Sequence, residues 1–117
     1  MPNNTVSPEI HQLILSSHEL RPADLLEISY DITAHDATGT EVSLGASLIA
    51  EGGVEYWDAS GDTNCTLQNG RHRYTRTFRA PEDIPTGQYR LVGALWTPPI
   101  GTERLANIVI DEAVRIM

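Results

Sequence analysis

A chain of 117 residues has room for one domain with one hydrophobic core, and not for two. Its 16 acidic and 8 basic side chains give a net charge of −8, which disfavours binding to nucleic acids and anionic membranes because like charges repel. The single cysteine excludes an internal disulfide, and a structural zinc site would need more cysteines or closely spaced histidines. We therefore expect an acidic single-domain protein without a cofactor.

The N-terminal residues MPNNTVSPEI have neither the basic start nor the apolar segment of a secretory signal. No apolar run approaches the roughly 20 residues that span a bilayer, so we expect no membrane insertion. The protein is expected to be cytoplasmic if Met1 is the native start, and extracytoplasmic if the sequence is part of a longer chain. We predict a flexible segment at residues 1–9 and one domain at residues 10–117.

Apolar and polar residues alternate along most of the chain, with the period of two that is typical of β-strands. In chain order the alternating segments are HQLILSS, DLLEISYDITAH, VSLGASLIA, HRYTRTFRA, QYRLVGALW and LANIVI, with AVRIM as a continuation of the last. Clusters of Gly, Pro, Asn and Asp separate them, and no segment has a convincing helical period. This pattern predicts an all-β sandwich or small barrel of seven to eight short strands.

The segment PEDIPTGQYRLVGALW, residues 81–96, has the densest pattern in the chain. A turn bounded by Pro81 and Pro85 leads through Gly87 to Tyr89 and then into the most apolar strand. A tyrosine at such a corner can bury its ring while its hydroxyl bonds to the backbone of the preceding turn. Ile84 can fill the end of the core, and Gly87 can take a positive φ.

On these residues the chain resembles the immunoglobulin-like and fibronectin type III-like β-sandwich domains of bacteria. Residues 71–106 are similar to the end of accessory sandwich domains in carbohydrate-related and cell-envelope proteins. The resemblance implies a single Ig-like antiparallel β-sandwich with a tyrosine-corner-like turn from Pro81 to Tyr89, and a binding or spacing role without chemistry. The paired core cysteines and the third-strand tryptophan of antibody domains are absent.

Five residues are candidates for ligand binding. Trp57 follows Tyr56 beside the loop DASGDTN, and Trp96 ends the strand of residues 88–96. An exposed aromatic ring can stack on a sugar or an apolar ligand, while the other interpretation is that the tryptophans fill the rim of the core. The complete candidate set is Tyr56, Trp57, His72, Tyr74 and Trp96.

Oxygen-bearing residues at alternate positions in the loop DASGDTN are typical of the first half of a calcium loop. Thr63 stands where that loop needs glycine, and its bidentate glutamate is missing. We therefore expect a solvated turn and no metal site. A calcium site at Asp58, Asp62 and Asn64 is the alternative.

The chain has no lysine, and four of its eight arginines crowd one predicted strand, at positions 71, 73, 76 and 79. They could present a ladder of guanidinium groups to an anionic ligand. In an Ig-like sandwich, however, this strand pairs with the strand that contains Glu27 and Asp31, so we expect ion pairs across the two strands. Such pairs also account for the charge asymmetry, which is −10 over residues 1–70 and +2 over residues 71–117.

The sequence contains no nucleophile elbow, P-loop, dinucleotide-binding or zinc-protease motif, which argues against a standard enzyme. Our first hypothesis is a non-catalytic module that binds a protein partner through a strand edge or loops, and exposed edges would also allow a homodimer. The second is a small-molecule-binding protein or a cyclase- or isomerase-type enzyme. Its pocket would lie between the sheets and be lined by Tyr30, His72, Tyr74 and Trp96 with an acid such as Asp31 or Glu55. The third is a carbohydrate-binding module.

Overall fold

The computed structural model describes residues 8–35 and 39–117, which form nine β-strands in two packed sheets. A single turn of 3₁₀ helix, Ala59–Gly61, lies between the fifth and sixth strands. No helix in the described residues is long and apolar enough to cross a membrane. The strands are β1 (Glu9–Leu15), β2 (Glu19–Leu20), β3 (Leu25–Ala34), β4 (Glu41–Ala50), β5 (Glu55–Trp57), β6 (Thr63–Thr66), β7 (Gly70–Arg79), β8 (Gly87–Thr97) and β9 (Glu103–Ile116).

The small sheet has the strand order β1-β3-β7, and the large sheet has the order β2-β9-β8-β4-β5, with β6 also paired to β4. The predicted all-β sandwich is confirmed. The strand number is higher than the predicted seven to eight, because β2, β5 and β6 contain only two to four residues each. Segments this short are below the length at which alternation identifies a strand.

The alternating apolar residues of both sheets face each other across the gap between the sheets. Leu26, Ile28 and Tyr30 of β3 are fully buried, as are Leu44 of β4 and Leu91 of β8. Burial of one such side chain contributes about 1.5–3 kcal/mol. The apolar residues at alternate positions in the sequence are therefore the residues that pack between the two sheets.

The turn between β7 and β8 is the predicted tyrosine corner. The buried Tyr89 donates a hydrogen bond from its hydroxyl to the carbonyl oxygen of Pro85 over 2.7 Å. Ile84 is buried beneath the turn, and Gly87 has a φ of 142°, a conformation that favours glycine. Burial and the neighbouring Tyr56 raise the pKa of Tyr89, so its hydroxyl stays protonated and acts as the donor.

Candidate binding surface

Arg76 points into the sandwich and is not part of a surface ladder of arginines. It lies between Tyr74 and Phe78 on the inward side of β7, and only 2% of its surface is exposed. Its guanidinium donates hydrogen bonds to the carbonyl oxygens of Thr77 at 2.9 Å and Leu44 at 3.0 Å. Arg76 therefore connects the small sheet to the large one.

The loop between β5 and β6 supplies the remaining partners of Arg76. Asp62 accepts a hydrogen bond from Nη1 at 2.9 Å, and the Asp58 carbonyl accepts one from Nη2 at 2.9 Å. Gly61 packs so tightly that a Cβ atom there would lie 2.6 Å from Nη2 and 2.3 Å from the Thr77 carbonyl oxygen. Only glycine fits this close approach of the loop to the guanidinium group.

Two of the candidate calcium ligands, Asp58 and Asp62, thus surround a guanidinium group. Asn64 lies apart on β6, where its side-chain oxygen accepts a hydrogen bond from Ser43. Burial alone would raise the pKa of Asp58. Hydrogen bonds from Ser60 and the Arg79 amide, together with the charge of Arg76, outweigh that effect and lower the pKa. Arg76 is therefore the cation that these two carboxylates neutralise.

A bidentate ion pair joins β3 and β7 on the outer side of the small sheet, as the sequence predicted for the acids of β3. Arg71 donates from Nε and Nη2 to the two carboxylate oxygens of Asp31 at 2.9 and 2.7 Å. Hydrogen bonds from Arg71 and Gln12 hold the pKa of Asp31 well below its usual range. Glu27, in contrast, lies opposite Thr77 in the strand register, where no arginine meets it.

The five candidate ligand-binding residues are divided between the two sheets. Tyr56 packs edge-on against the corner Tyr89, with 6.0 Å between the ring centroids. His72 and Tyr74 lie together on the small sheet, with 6.5 Å between their rings. Hydrogen bonds link the His72 ring to the Asn69 carbonyl and the Gln68 amide to the Tyr74 hydroxyl. The aromatic residues of the two sheets therefore do not form one site.

The two tryptophans differ in exposure. Trp57 is 49% exposed, on the outer face of the large sheet. Trp96 covers Gly45, where an added Cβ would lie 2.8 Å from the indole nitrogen, and the guanidinium of Arg104 lies 5.9 Å from its ring centroid. Trp96 thus packs against the sheet, while about half of the surface of Trp57 is exposed to solvent.

The space between the sheets is filled where the hypothetical inter-sheet pocket would lie. The fully buried Tyr30 donates its hydroxyl proton to the Gly45 carbonyl over 2.6 Å, and burial raises its pKa. A Cβ on Gly93 would lie 2.7 Å from the side chain of Leu13. Asp31 follows Tyr30 directly and faces the opposite way, toward Arg71. The residues of that hypothesis therefore do not converge.

Two open clefts adjoin each other at the end of the β4–β5 hairpin, with volumes of about 320 and 340 Å³. They share Glu51, Gln88 and Tyr89 as lining residues. The first continues along Arg90 to Asp111, and the second lies against the tyrosine corner. Between them the clefts are lined by the β4–β5 hairpin, the tyrosine corner and the neighbouring part of β9.

A row of four residues, three of them apolar, crosses the outer face of the large sheet. The register places Trp57 opposite Ser47, Ser47 opposite Val92, and Val92 opposite Val109. We call these four residues the Trp57–Val109 strip, which spans about 14 Å at the usual spacing of strands. Val109 is 48% exposed, whereas Ser47 is fully buried and donates a hydrogen bond to Glu55. The strip ends at β9.

Most of β9 is paired on one side alone. On the side away from β8, His18 and Leu20 accept hydrogen bonds from the amides of Arg115 and Met117, and β2 pairs with Arg115 and Ile116. Among the described residues, no strand pairs with residues 103–112 on that side. We call this stretch the free β9 edge.

Irregularities bound the middle of the free β9 edge. A bulge at Leu105 precedes residues 106–110, and a second one at residues 111–113 follows, where Glu112 has a φ of 51°. Between the bulges the register with β8 is continuous. Ile108 and Ile110 face the core there but are only partly buried. Residues 106–110 therefore form a regular stretch. Their outer backbone groups have no strand partner among the described residues, and their inward side chains are only partly buried.

Sequence analysis did not identify this surface. The segment LANIVI signals a strand, with Asn107 and Val109 on one face and Ile108 and Ile110 on the other. Its position at an edge depends on strand order, which alternation within a segment does not contain. The one available signal in the sequence was the apolar Val109 at an alternate position between the polar Asn107 and Asp111.

No protein-family model and no curated protein matches this sequence. Solved structures share the fold. A Niemann-Pick type C2 protein from the Japanese carpenter ant aligns over 95% of this chain and 93% of its own, with 13% identity and a TM-score of 0.62. Spo0M, a sporulation control protein from Bacillus subtilis, aligns over 95% of this chain and 50% of its own, with 14% identity and a TM-score of 0.55.

The alkylpurine DNA glycosylase AlkC of Pseudomonas fluorescens, bound to DNA containing an abasic site analog, has a TM-score of 0.55 and 10% identity. It aligns over 90% of this chain and 30% of its own. The present chain therefore spans half or less of Spo0M and AlkC. At these identities the likeness concerns architecture alone, and it agrees with the two packed sheets of this chain in showing a β-sandwich.

Proposed function

We propose that the protein is a non-catalytic binding module that takes up an extended segment of a protein partner as an additional strand on the free β9 edge. The observation that carries this proposal is the regular stretch at residues 106–110, whose outer backbone groups have no strand partner in the described chain. Unpaired N–H and C=O groups of an edge strand bind an incoming strand through main-chain hydrogen bonds. The β-sandwich fold, shared with the structures above, supports such a role.

The side chains of the edge determine which partner sequences would fit it. An added strand would place alternate side chains over Ile108 and Ile110 on the core side and beside Val109 on the outer side. Apolar residues on the core side would complete the burial of the two isoleucines, at about 0.8 kcal/mol for each buried CH₂. The preferred partner is therefore an extended segment with alternating apolar residues and no proline.

The net charge of this chain argues against a second role, namely binding to DNA as named for AlkC. The DNA named for AlkC is a polyanion, and this chain carries a net charge of −8. An acidic surface repels the phosphate backbone before contact. The resemblance of residues 71–106 to the accessory sandwich domains of bacteria supports the same proposal, since it implies that this domain binds and does not catalyse.

The test is a selection of short random peptides displayed on phage, with the wild-type protein as bait. Two variants have matched exposure: Val109→Lys on the free edge, where the native residue is 48% exposed, and Leu25→Lys at the start of β3, where it is 52% exposed. We expect enriched peptides with alternating apolar residues. They should bind wild type and Leu25→Lys equally and lose about tenfold or more in affinity for Val109→Lys, because a charge on an edge strand opposes strand addition.

Hydrogen exchange of the backbone amides locates the bound peptide. Addition of a strand should slow exchange at residues 106–110 and leave β3 and β7 unchanged. Peptides that bind Val109→Lys as well as wild type, or that protect residues elsewhere, would overturn the proposal.

Carbohydrate binding is the second candidate, and the half-exposed ring of Trp57 is the observation in its favour. On a glycan array, Trp57→Ala should then abolish binding that the wild type shows, with little change in the free energy of unfolding. No binding by the wild-type protein would exclude this candidate for the glycans tested.

A further inference from the structure

We infer that the two adjoining clefts at the end of the β4–β5 hairpin form one binding site for a small organic cation that carries an apolar group, such as a primary amine joined to an aromatic ring. This site is separate from the proposed strand-binding edge. A partner strand would pair with the backbone of residues 106–110, whereas this ligand would contact the hairpin, the tyrosine corner and the bulge of β9.

The size of the clefts suits a small molecule. Their volumes are about 320 and 340 Å³, and they adjoin along Glu51, Gln88 and Tyr89, which line both. Binding sites for small molecules usually measure about 300–1,000 Å³ and combine apolar walls with a few polar groups. Each cleft alone is near the lower limit of that range, and together they have room for a ligand with two chemically different ends.

The first cleft is negatively charged. Among the described residues, its charged lining consists of Glu51, Asp111 and Glu112 with one arginine, Arg90. Arg90 Nε lies 3.5 Å from the carboxylate of Asp111, so one of the three negative charges is compensated within the cleft. The net charge of −8 on the whole chain also attracts cations to its surface.

The bulge in β9 brings two of these acids to the same cleft. Successive residues of a regular strand face opposite sides of the sheet, and Asp111 and Glu112 would then be separated. Here the register with β8 shifts at residues 111–113, and Glu112 has a φ of 51°. Both residues line the first cleft. Bulges often redirect a side chain in this way beside a functional site.

The second cleft supplies an apolar wall. Val54, Tyr56 and Pro85 line it, and Val54 is 56% exposed. The tyrosine corner holds this wall in place, because Tyr56 packs edge-on against Tyr89 and the Tyr89 hydroxyl bonds to the Pro85 carbonyl. A wall that is already formed loses little conformational entropy when a ligand binds. An apolar group on the ligand would cover the exposed surface of Val54.

The position of Glu51 connects the two halves of the site. Because Glu51 lines both clefts, a cationic group beside Glu51 and Glu112 places the rest of the ligand next to Val54 and Pro85. An anionic ligand would be repelled by the first cleft, and a neutral ligand would gain no attraction from its carboxylates. Charge complementarity therefore selects a cation, and the apolar wall selects a cation with an apolar group.

The experiment is a titration of the full chain with phenethylamine, followed by NMR signals of the backbone amides. Phenethyl alcohol and hydrocinnamate are matched probes, since they carry the same ring on a short chain but are neutral and anionic. Methylamine is a cation without the apolar group. We expect phenethylamine to shift the signals of residues 49–52, 86–90 and 111–112, and the three other probes to bind about tenfold or more weakly.

Two pairs of variants test the two halves of the site. Glu112→Gln should raise the dissociation constant of phenethylamine about threefold, whereas Glu27→Gln, which removes the same charge from an exposed position on β3, should leave it unchanged. Val54→Ser should also raise it about threefold. Leu25→Ser is the control with matched exposure, 52% against 56% for Val54, and should have no effect.

Three results would overturn the inference: no saturable binding of phenethylamine, equal affinity for hydrocinnamate, or signal shifts confined to residues outside the clefts. Equal effects of Glu112→Gln and Glu27→Gln would also overturn it, because binding would then depend on the net charge alone. Binding of the selected peptides at residues 106–110 is measured separately, so this site and the proposed function can fail independently.

Discussion

Replacement of the buried Arg76 by methionine should destabilise the protein more than any substitution at the other clustered arginines. Methionine has a similar length and suits an apolar environment, so the change mainly removes the charge and the hydrogen-bond donors. The carbonyl oxygens of Leu44, Thr77 and Asp58 lose their donors, and Asp62 loses its cation. The variant therefore tests the link between β7, β4 and the β5–β6 loop.

The expected loss is about 3 kcal/mol, at the lower end of the roughly 3–5 kcal/mol found when one partner of a buried ion pair is removed. The lower end applies because the side chain of Asp62 is 37% exposed and can be hydrated again by water. Against a total stability of about 5–15 kcal/mol for a domain, this loss is large.

Urea unfolding followed by tryptophan fluorescence measures the loss. Arg90→Met serves as the control, because Arg90 pairs with Asp111 over 3.5 Å and both side chains are exposed, at 54% and 82%. We expect the control to lose much less, since exposed ion pairs contribute little. Equal losses in the two variants, or a loss at Arg76 below about 1 kcal/mol, would refute the reasoning.

Three further predictions concern stability and reactivity. Tyr89→Phe removes the hydrogen bond to the Pro85 carbonyl and should cost about 0.5–1.5 kcal/mol in urea unfolding; an unchanged midpoint would contradict the corner. Burial, with a contribution from a nearby acid, raises the pKa of Cys65 to about 11, so its thiol should react with a disulfide reagent at pH 8 far more slowly in the folded than in the unfolded protein. Because Arg71 lowers the pKa of Asp31, this carboxylate should stabilise the fold above about pH 4 and lose that effect as the pH falls further. Asp31→Asn should flatten this acid dependence, and an unchanged pH profile in that variant would exclude Asp31 as its source.

The sequence predicted those parts of the fold that depend on local chemistry. The alternation in β3 predicts its buried face, because burial repeats at every second residue. The tyrosine corner is predictable for the same reason, since Tyr89 and its acceptor Pro85 are four residues apart. In both cases the residues that carry the sequence signal fall within one short segment.

The position of Arg76 shows where this reasoning stops. Alternation from Tyr74 to Phe78 already assigns residue 76 to the inner face, but an arginine is rarely buried without partners. Its partners Asp58 and Asp62 come from a loop 18 and 14 residues earlier, and only the folded chain brings them to the guanidinium group. The same carboxylates, considered without Arg76, had the spacing of calcium ligands.

Strand order is the second property that the pattern of the sequence did not reveal. The residues of β9 alternate in the same way whether a strand lies on one side or on both. Assignment of residues 106–110 to an edge needed the pairing of β9 with β8 and its short contact with β2. The candidate surface therefore became visible only with the topology of the large sheet.

The features that protect an edge also set the length of the proposed binding site. Edge strands usually avoid unwanted pairing through charges and bulges. In β9 the bulges at Leu105 and at residues 111–113 and the charges of Arg104 and Glu112 stand at the two ends, and residues 106–110 between them are apolar apart from Asn107. A site of about five residues buries a small area, and small interfaces are typically transient. A foreign strand would then exchange readily on this edge.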